Sequence, residues 1–281
     1  MKTMDKILRS IKQMPAFPVT AQKVAAVMGN PDYSIAQVVN IIKYDPSITA
    51  NLLRICNSAY FGVRHIGSLH DAVVFLGQEN VLRAIQVSGI SRFFKKARGY
   101  GLDGAELWKH AVGVALMTQI ISRKISGRDD SKLFTSGLLH DIGKIILGEF
   151  VDDSLRKIWN LVSNHGYSFI RAEEEVIGMN HADVGGRIAA QWNFPQEIKD
   201  TITFHHRPDL MGAGDNKFCW MVYLADQVCL MMGIGGGDDG LAYWGLKEVI
   251  DLLKIRQKDL EASIIELMKD MENAKELIAL V

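Results

Sequence analysis

His140 and Asp141 stand side by side in His140-Asp141-Ile142-Gly143-Lys144, behind the apolar run Ser136-Gly137-Leu138-Leu139. Adjacent imidazole and carboxylate groups can both reach a metal, and a carboxylate has two oxygens with which to bridge two ions. Lys144 follows close behind Asp141, so on a helix the two side chains share a face. There its ammonium could bind a phosphate held by the metals. Asp141 and Lys144 are therefore the candidate catalytic pair.

Of eight histidines, His110, His140, His181, His205 and His206 sit in settings that suit ligands. Asp226 is the other unusual acid, lying between Phe218-Cys219-Trp220-Met221-Val222-Tyr223-Leu224-Ala225 and Val228-Cys229-Leu230-Met231-Met232. A carboxylate in so apolar a segment is costly unless paired, hydrogen-bonded or metal-bound. The alternative is an exposed stripe shared with Gln227. Imidazoles and carboxylates without thiols suit Fe, Mn, Zn or Co better than Ca or Mg. Two such ions about 3.5–4 Å apart could polarise a phosphoryl oxygen and generate a hydroxide nucleophile. Each histidine also has a plainer reading. His110 could be a core residue near Val112, Val114 and Leu116, His181 could cap a helix, and His205-His206 could end one. His65, His70 and His165 fit no ligand spacing and read as surface or capping residues.

Composition narrows the class. The 281-residue chain is 48% hydrophobic and 23% charged, ordinary for a globular protein. Thirty-two basic and 32 acidic residues cancel, and the pI is about 7.1. No basic face is advertised, so direct nucleic-acid binding has little electrostatic support. Met1 to Pro15 mixes Lys2, Asp5, Lys6, Arg9 and Lys12 among apolar positions and does not read as a signal peptide. No apolar run approaches the roughly 20 residues that span a bilayer. The three cysteines, Cys56, Cys219 and Cys229, form no CxxC pair. They read as reduced core thiols, and a cytoplasmic protein with no membrane partner is expected.

The elements that must position these residues read as helices, so an all-α fold is expected. Ser34-Ile35-Ala36-Gln37 has the capping-box pattern, with Val38, Val39, Ile41 and Ile42 as the buried stripe behind it. Asp45-Pro46 starts the next helix, which carries Ile48, Leu52, Leu53 and Ile55. Ser68-Leu69-His70-Asp71 begins another, which Gly77 should end. No segment alternates with period two. The glycine-bearing stretch Arg98–Gly104 is the internal boundary, and the chain divides into residues 1–100, 101–232 and 233–281. The last part combines a glycine-rich connector, Gly233–Gly240, with helices from about Leu241 that look like a packing or interface element. The connector lacks the GxxxxGK[ST] order of a phosphate loop.

Several motifs occur in a fixed order. They are Met14-Pro15-Ala16-Phe17-Pro18, Asp45-Pro46-Ser47-Ile48-Thr49-Ala50-Asn51-Leu52-Leu53-Arg54, Asn57-Ser58-Ala59-Tyr60-Phe61 and Ala72-Val73-Val74-Phe75-Leu76-Gly77. Then come Trp108-Lys109-His110, Gly137 to Lys144, His181-Ala182-Asp183-Val184-Gly185-Gly186, Trp192-Asn193-Phe194-Pro195 and His205-His206. From about residue 7 to 210 the chain resembles the HDOD (HD-related output domain) family of bacterial signalling proteins. That family is similar to the HD and HD-GYP metal-dependent phosphohydrolases. The resemblance implies a multi-helix HDOD fold, with an N-terminal helical half packed on an HD-like half that carries the metal site. It also implies a bridging Asp141, with His110, His140 and Asp226 on one ion and His181, His205 and His206 on the other. Glu106, one turn before His110, stands where some three-metal HD-GYP members place a carboxylate ligand. The implied cofactors are two transition-metal ions, Fe first, with Mn or Zn as alternatives.

One departure bears on activity. HD-GYP enzymes follow the His-His pair with an acidic residue and a Gly-Tyr-Pro signature that helps hold cyclic di-GMP. Here His206 is followed by Arg207-Pro208-Asp209-Leu210-Met211-Gly212. Two functions stay open, so enzyme status is open too. One is a bacterial signal-transduction module that retains a di-metal site and acts through contacts with a signalling protein. The other is an active metal-dependent phosphohydrolase with a nucleotide or other phosphoester as its ligand. Iron-dependent oxygen chemistry is a third, weaker option.

Overall fold

Capping chemistry decides where many of the helices begin. In the computed structural model, which describes residues 3–57, 66–95, 97–211, 216–235 and 248–279, Ser34 and Gln37 form the reciprocal capping box. Asp45 accepts from the Ile48 amide, and Pro46 fills the first turn behind it. Ser58 to Phe61, His65, Gly212 and residues 236–247, including most of the glycine-rich connector, lie outside the described residues.

The helices are α1 (Thr3–Gln13), α2 (Val19–Met28), α3 (Ile35–Ile42), α4 (Pro46–Cys56), α5 (Leu69–Phe94), α6 (Gly104–Ser126), α7 (Ser131–Leu139), α8 (Lys144–His165), α9 (Phe169–Ile177), α10 (His181–Gln191), α11 (Gln196–Phe204), α12 (Lys217–Met231), α13 (Val249–Leu253), α14 (Gln257–Asn273) and α15 (Lys275–Ile278). Among the described residues the strands are two short ones, β1 (Arg98–Gly99) and β2 (Leu102–Asp103), paired antiparallel. The fold is all-α, as expected. Gly77 does break the helical path, at φ 68° and ψ 173°, but the chain resumes as a helix directly behind it, so α5 is kinked.

The chain forms two units, residues 1–15 with 94–267, and 16–93 with 268–281. In the second unit α2 packs on α3, α3 on α4, and α15 on α4. Asn51 on α4 donates to the Ser88 hydroxyl of α5. Its core includes Val24, Val38, Ile42, Leu52, Ile55 and Ile85.

The first unit holds the candidate site. Here α6 packs against α7 and α12, α8 against α9 and α10, and α10 against α11. α6 is buried along most of its length, with Trp108, Val114, Ala115, Met117 and Ile120 inside. Burying Val114, Met117 and Ile120, at about 1.5–3 kcal/mol each, fixes α6 as the helix against which α7 and α12 pack. Arg123 near its end bridges Asp129 and Glu266, both at 2.7 Å. Cys56, Cys219 and Cys229 are buried free thiols. Burial pushes the thiol pKa up at all three. No helix among the described residues is long and apolar enough to cross a membrane.

Candidate metal centre

The His-Asp segment occupies a break between two helices. α7 ends at Leu139, His140 to Gly143 form a turn, and Lys144 opens α8. The break carries Asp141 inward while α10 presses its first residue, His181, against the turn. A Cβ on Gly143 would lie 1.9 Å from the His181 carbonyl oxygen, so only glycine admits this approach. Asn180 caps α10 by accepting from the Asp183 amide. His205 and His206 follow the last residue of α11. His110 stands on α6 and Asp226 on α12.

All seven expected residues meet. Asp141 Oδ1 faces His181 Nε2 at 3.3 Å and His205 Nε2 at 3.6 Å. Its other oxygen, Oδ2, faces His140 Nε2 at 3.4 Å and His110 Nε2 at 3.8 Å. Asp226 Oδ1 lies 3.0 Å from His110 Nε2 and 3.7 Å from His140 Nε2. His206 places Nε2 3.0 Å from His181 Nε2 and Nδ1 3.8 Å from Asp226 Oδ2. The two oxygens of Asp141 thus look into two different histidine sets. Asp226 is 1% exposed, which removes the exposed-stripe reading.

Four histidines are held in one tautomer from behind. His140 Nδ1–H donates to the Gly137 carbonyl at 2.7 Å, and His205 Nδ1–H to the Ile202 carbonyl at 2.7 Å. His110 Nδ1–H donates to the Ile234 carbonyl at 2.8 Å. His181 Nδ1–H donates to Glu173 Oε2 at 2.8 Å. A carbonyl can only accept, so its partner Nδ1 carries a proton and Nε2 faces the centre. That is the arrangement in which an imidazole ligates a metal. The Ile234 carbonyl reaches His110 because Gly235, at φ 63°, lies flush on α6, where a Cβ would meet the Glu106 carbonyl oxygen at 2.4 Å.

The centre's electrostatics follow from burial and proximity. Burial disfavours charge throughout, yet Asp141 is held well below the usual carboxylate range by Lys144 and His140. Asp226 is held down likewise by His110 and His140. Burial also opposes the His140 imidazolium, but Asp141 and Asp226 prevail and push that group up to about 10. Burial brings His205 down to about 4, and holds His206 well below its usual value, helped by His205 and His181.

The donor set fits a metal. Asp141, His181, His205 and His206 each offer an atom within 4.8 Å of the others, as do His110, His140 and Asp141, and every one is buried. His140 Nε2, His205 Nε2 and Asp141 Oδ1 are buried without a hydrogen-bond partner. Each such orphan costs about 1–3 kcal/mol, which a cation at the centre would offset.

Two placements differ from simple expectation. Lys144 does share a face with Asp141, but its Nζ bonds Asp141 Oδ2 at 2.8 Å and lies 5.2 Å from the Tyr100 ring centroid, inside the core. Glu106 does not join the centre. Its carboxylate pairs with Lys109 at 3.4 Å and is 48% exposed. Beyond the centre, His70 is exposed beside Asp71, and exposed His165 ends α8.

The residue that sequence reasoning missed is Glu173. It opens the run Glu173-Glu174-Glu175, which looks like a solvated face. The signal was nevertheless present, because Glu173 falls on the helical stripe of Phe169, Ile170 and Ile177. Tyr100 went unread for a similar reason, since a tyrosine between two glycines reads as a loop tip.

Residues 14–208 match the HDOD domain family. The chain is 22% identical over 209 residues to an uncharacterized protein of Treponema pallidum (strain Nichols), covering 73% of this chain and 40% of that protein. It therefore spans well under half the length of that relative. An HDOD domain protein of unknown function from Geobacter sulfurreducens has a similar structure, with TM-score 0.75 and 25% identity over 99% of this chain and 95% of that one. A phosphohydrolase-like protein from Shewanella amazonensis SB2B is also similar, with TM-score 0.72 and 26% identity over 97% and 98% of the two chains.

Proposed function

The chain belongs to the HDOD family, and from that premise we propose that it is a bacterial signal-transduction module built around a di-metal centre. Asp141 bridges the two ions. His110, His140 and Asp226 serve one, and His181, His205 and His206 serve the other. Iron leads as the metal, with manganese or zinc as alternatives. The ions act as structural or sensory elements, and the output is a contact with a signalling protein in the cytoplasm. One observation carries this reading: the imidazole Nε2 atoms and both Asp141 oxygens converge in a core where these groups are almost wholly screened from solvent. Ions bound there stabilise the native state, because the unfolded chain offers no comparable site.

A second reading, a metal-dependent phosphohydrolase, is favoured by Lys144 and by the similarity to the phosphohydrolase-like Shewanella protein. Two bound ions would supply Lewis-acid polarisation of a phosphoryl oxygen and an activated water. For its part, Lys144 would have to leave Asp141 Oδ2 to meet a phosphate, and the buried centre would have to open.

Metal analysis of anaerobically purified chain tests the centre. About two equivalents of transition metal are expected, falling below about half an equivalent in Asp141→Ala. Metal content unchanged by that substitution would refute the assignment. The same preparations, assayed against a panel of nucleotide phosphodiesters, separate the readings. No turnover is expected of the module, whereas hydrolysis that disappears in Asp141→Ala would establish the enzyme.

A further inference from the structure

Three of the four Nδ1-anchored histidines lean on a neutral backbone carbonyl, and only His181 leans on a carboxylate. Glu173 on α9 is fully buried. Its Oε2 accepts from the His181 backbone amide at 3.1 Å as well as from Nδ1–H. Its Oε1 accepts from the Tyr100 hydroxyl. Tyr100 sits at the tip of the β1–β2 hairpin with φ 62°, a conformation that costs a non-glycine residue energy, yet its side chain is buried. There its ring meets His181 edge-on, at 6.0 Å between centroids.

The two sides of Asp141 differ in charge. The His110 side has a second carboxylate, Asp226, in direct reach of its imidazoles. The His181 side has three imidazoles; apart from Asp141, Asp226 approaches only His206 there, at 3.8 Å, and the carboxylate within hydrogen-bond reach is Glu173, behind His181 at 2.8 Å. A carboxylate behind a ligating imidazole fixes the ring and raises the basicity of the nitrogen that faces the ion.

The geometry points to Glu173 as a positioning residue that sets the affinity of one ion position, that of His181, His205 and His206, and leaves the other unchanged. Tyr100 holds Glu173 in the required orientation and acts through it. This inference rests on the di-metal reading above and assigns the two positions separate controls.

Cobalt(II) titrations of the full chain under anaerobic conditions test it, comparing wild type, Glu173→Gln and Tyr100→Phe by competition with a chelator. Glu173→Gln is expected to weaken one equivalent about 10–100-fold and to leave the other within about threefold. Tyr100→Phe should weaken the same equivalent by less. A second readout needs no metal. In ring 15N spectra of the metal-free chain, the His181 Nδ1 resonance should move when its acceptor becomes a neutral amide, while those of His110, His140 and His205 stay in place. Equal weakening of both equivalents, or of neither, in a wild type that binds two overturns this inference alone. Wild-type chain that takes up no cobalt overturns the metal reading itself, and this inference with it. If Glu173→Gln does not fold, Tyr100→Phe decides by the same comparison.

Discussion

Gly143→Ala should disable the centre without changing any residue that faces it. The added Cβ would stand 1.9 Å from the His181 carbonyl oxygen, 2.7 Å from the Gly185 amide nitrogen and 2.9 Å from the His181 carbonyl carbon. All three are backbone atoms, so no side chain can swing away. Relief to 3.0 Å, the closest that real Cβ atoms come, requires the turn and the start of α10 to part by about 1.1 Å, which is 3.0 less 1.9. His181 is the residue pushed, and its Nε2 now lies 3.3 Å from Asp141 Oδ1. Metal–ligand distances tolerate only about ±0.2 Å. An opening five times larger would take His181 out of one ligand set. The overpacking itself should cost about 1–3 kcal/mol. The assay pairs metal content with thermal melting in excess chelator, which separates lost ligation from lost packing. Gly67→Ala, where nothing lies within 4 Å of the new Cβ, is the control. Gly143→Ala protein that keeps its full metal content and melts within about 1 °C of wild type would refute the close-approach argument.

Metal removal is expected to lower the melting temperature. An ion held about 1,000-fold above its Kd adds about 4.1 kcal/mol, and at about 2–4 °C per kcal/mol chelation should cost about 8–16 °C per site, read by calorimetry. Metal affinity should rise with pH. His140, raised to about 10, is protonated in the free site and must be deprotonated to ligate, so between about pH 6.5 and 8.5 affinity should grow about 100-fold. His205, at about 4, is already neutral and adds nothing to that slope. A flat profile in competition titrations would contradict the His140 assignment. Asp45→Ala removes the acceptor for the Ile48 amide and for the Thr20 hydroxyl. It should cost about 1 kcal/mol in chemical denaturation while leaving metal content unchanged.

Local chemistry was legible because its causes are local. The Ser34 capping box and the Asp45-Pro46 helix start need only residues within one turn of each other, and both formed as read. The histidines and Asp226 could be singled out because a polar residue in an apolar setting advertises a partner wherever that partner lies. The Glu106 placement was not legible. Its position on α6 relative to His110 was clear, but helix-surface competition from Lys109 decides where the carboxylate points.

What the sequence alone determined is the helical class, the helix starts and the donor types, since propensity, capping and ligand chemistry belong to individual residues and their near neighbours. Tertiary structure alone decided which carboxylate stands behind which imidazole. Glu173 differs from Glu174 and Glu175 only in being turned into the core, where Tyr100 from a distant hairpin and His181 from the next helix find it. Lys144, too, is fixed by packing, which encloses its ammonium beside Asp141. Burial and orientation arise from contacts between segments far apart in the chain, and the low dielectric they create is what gives those few polar partners their force.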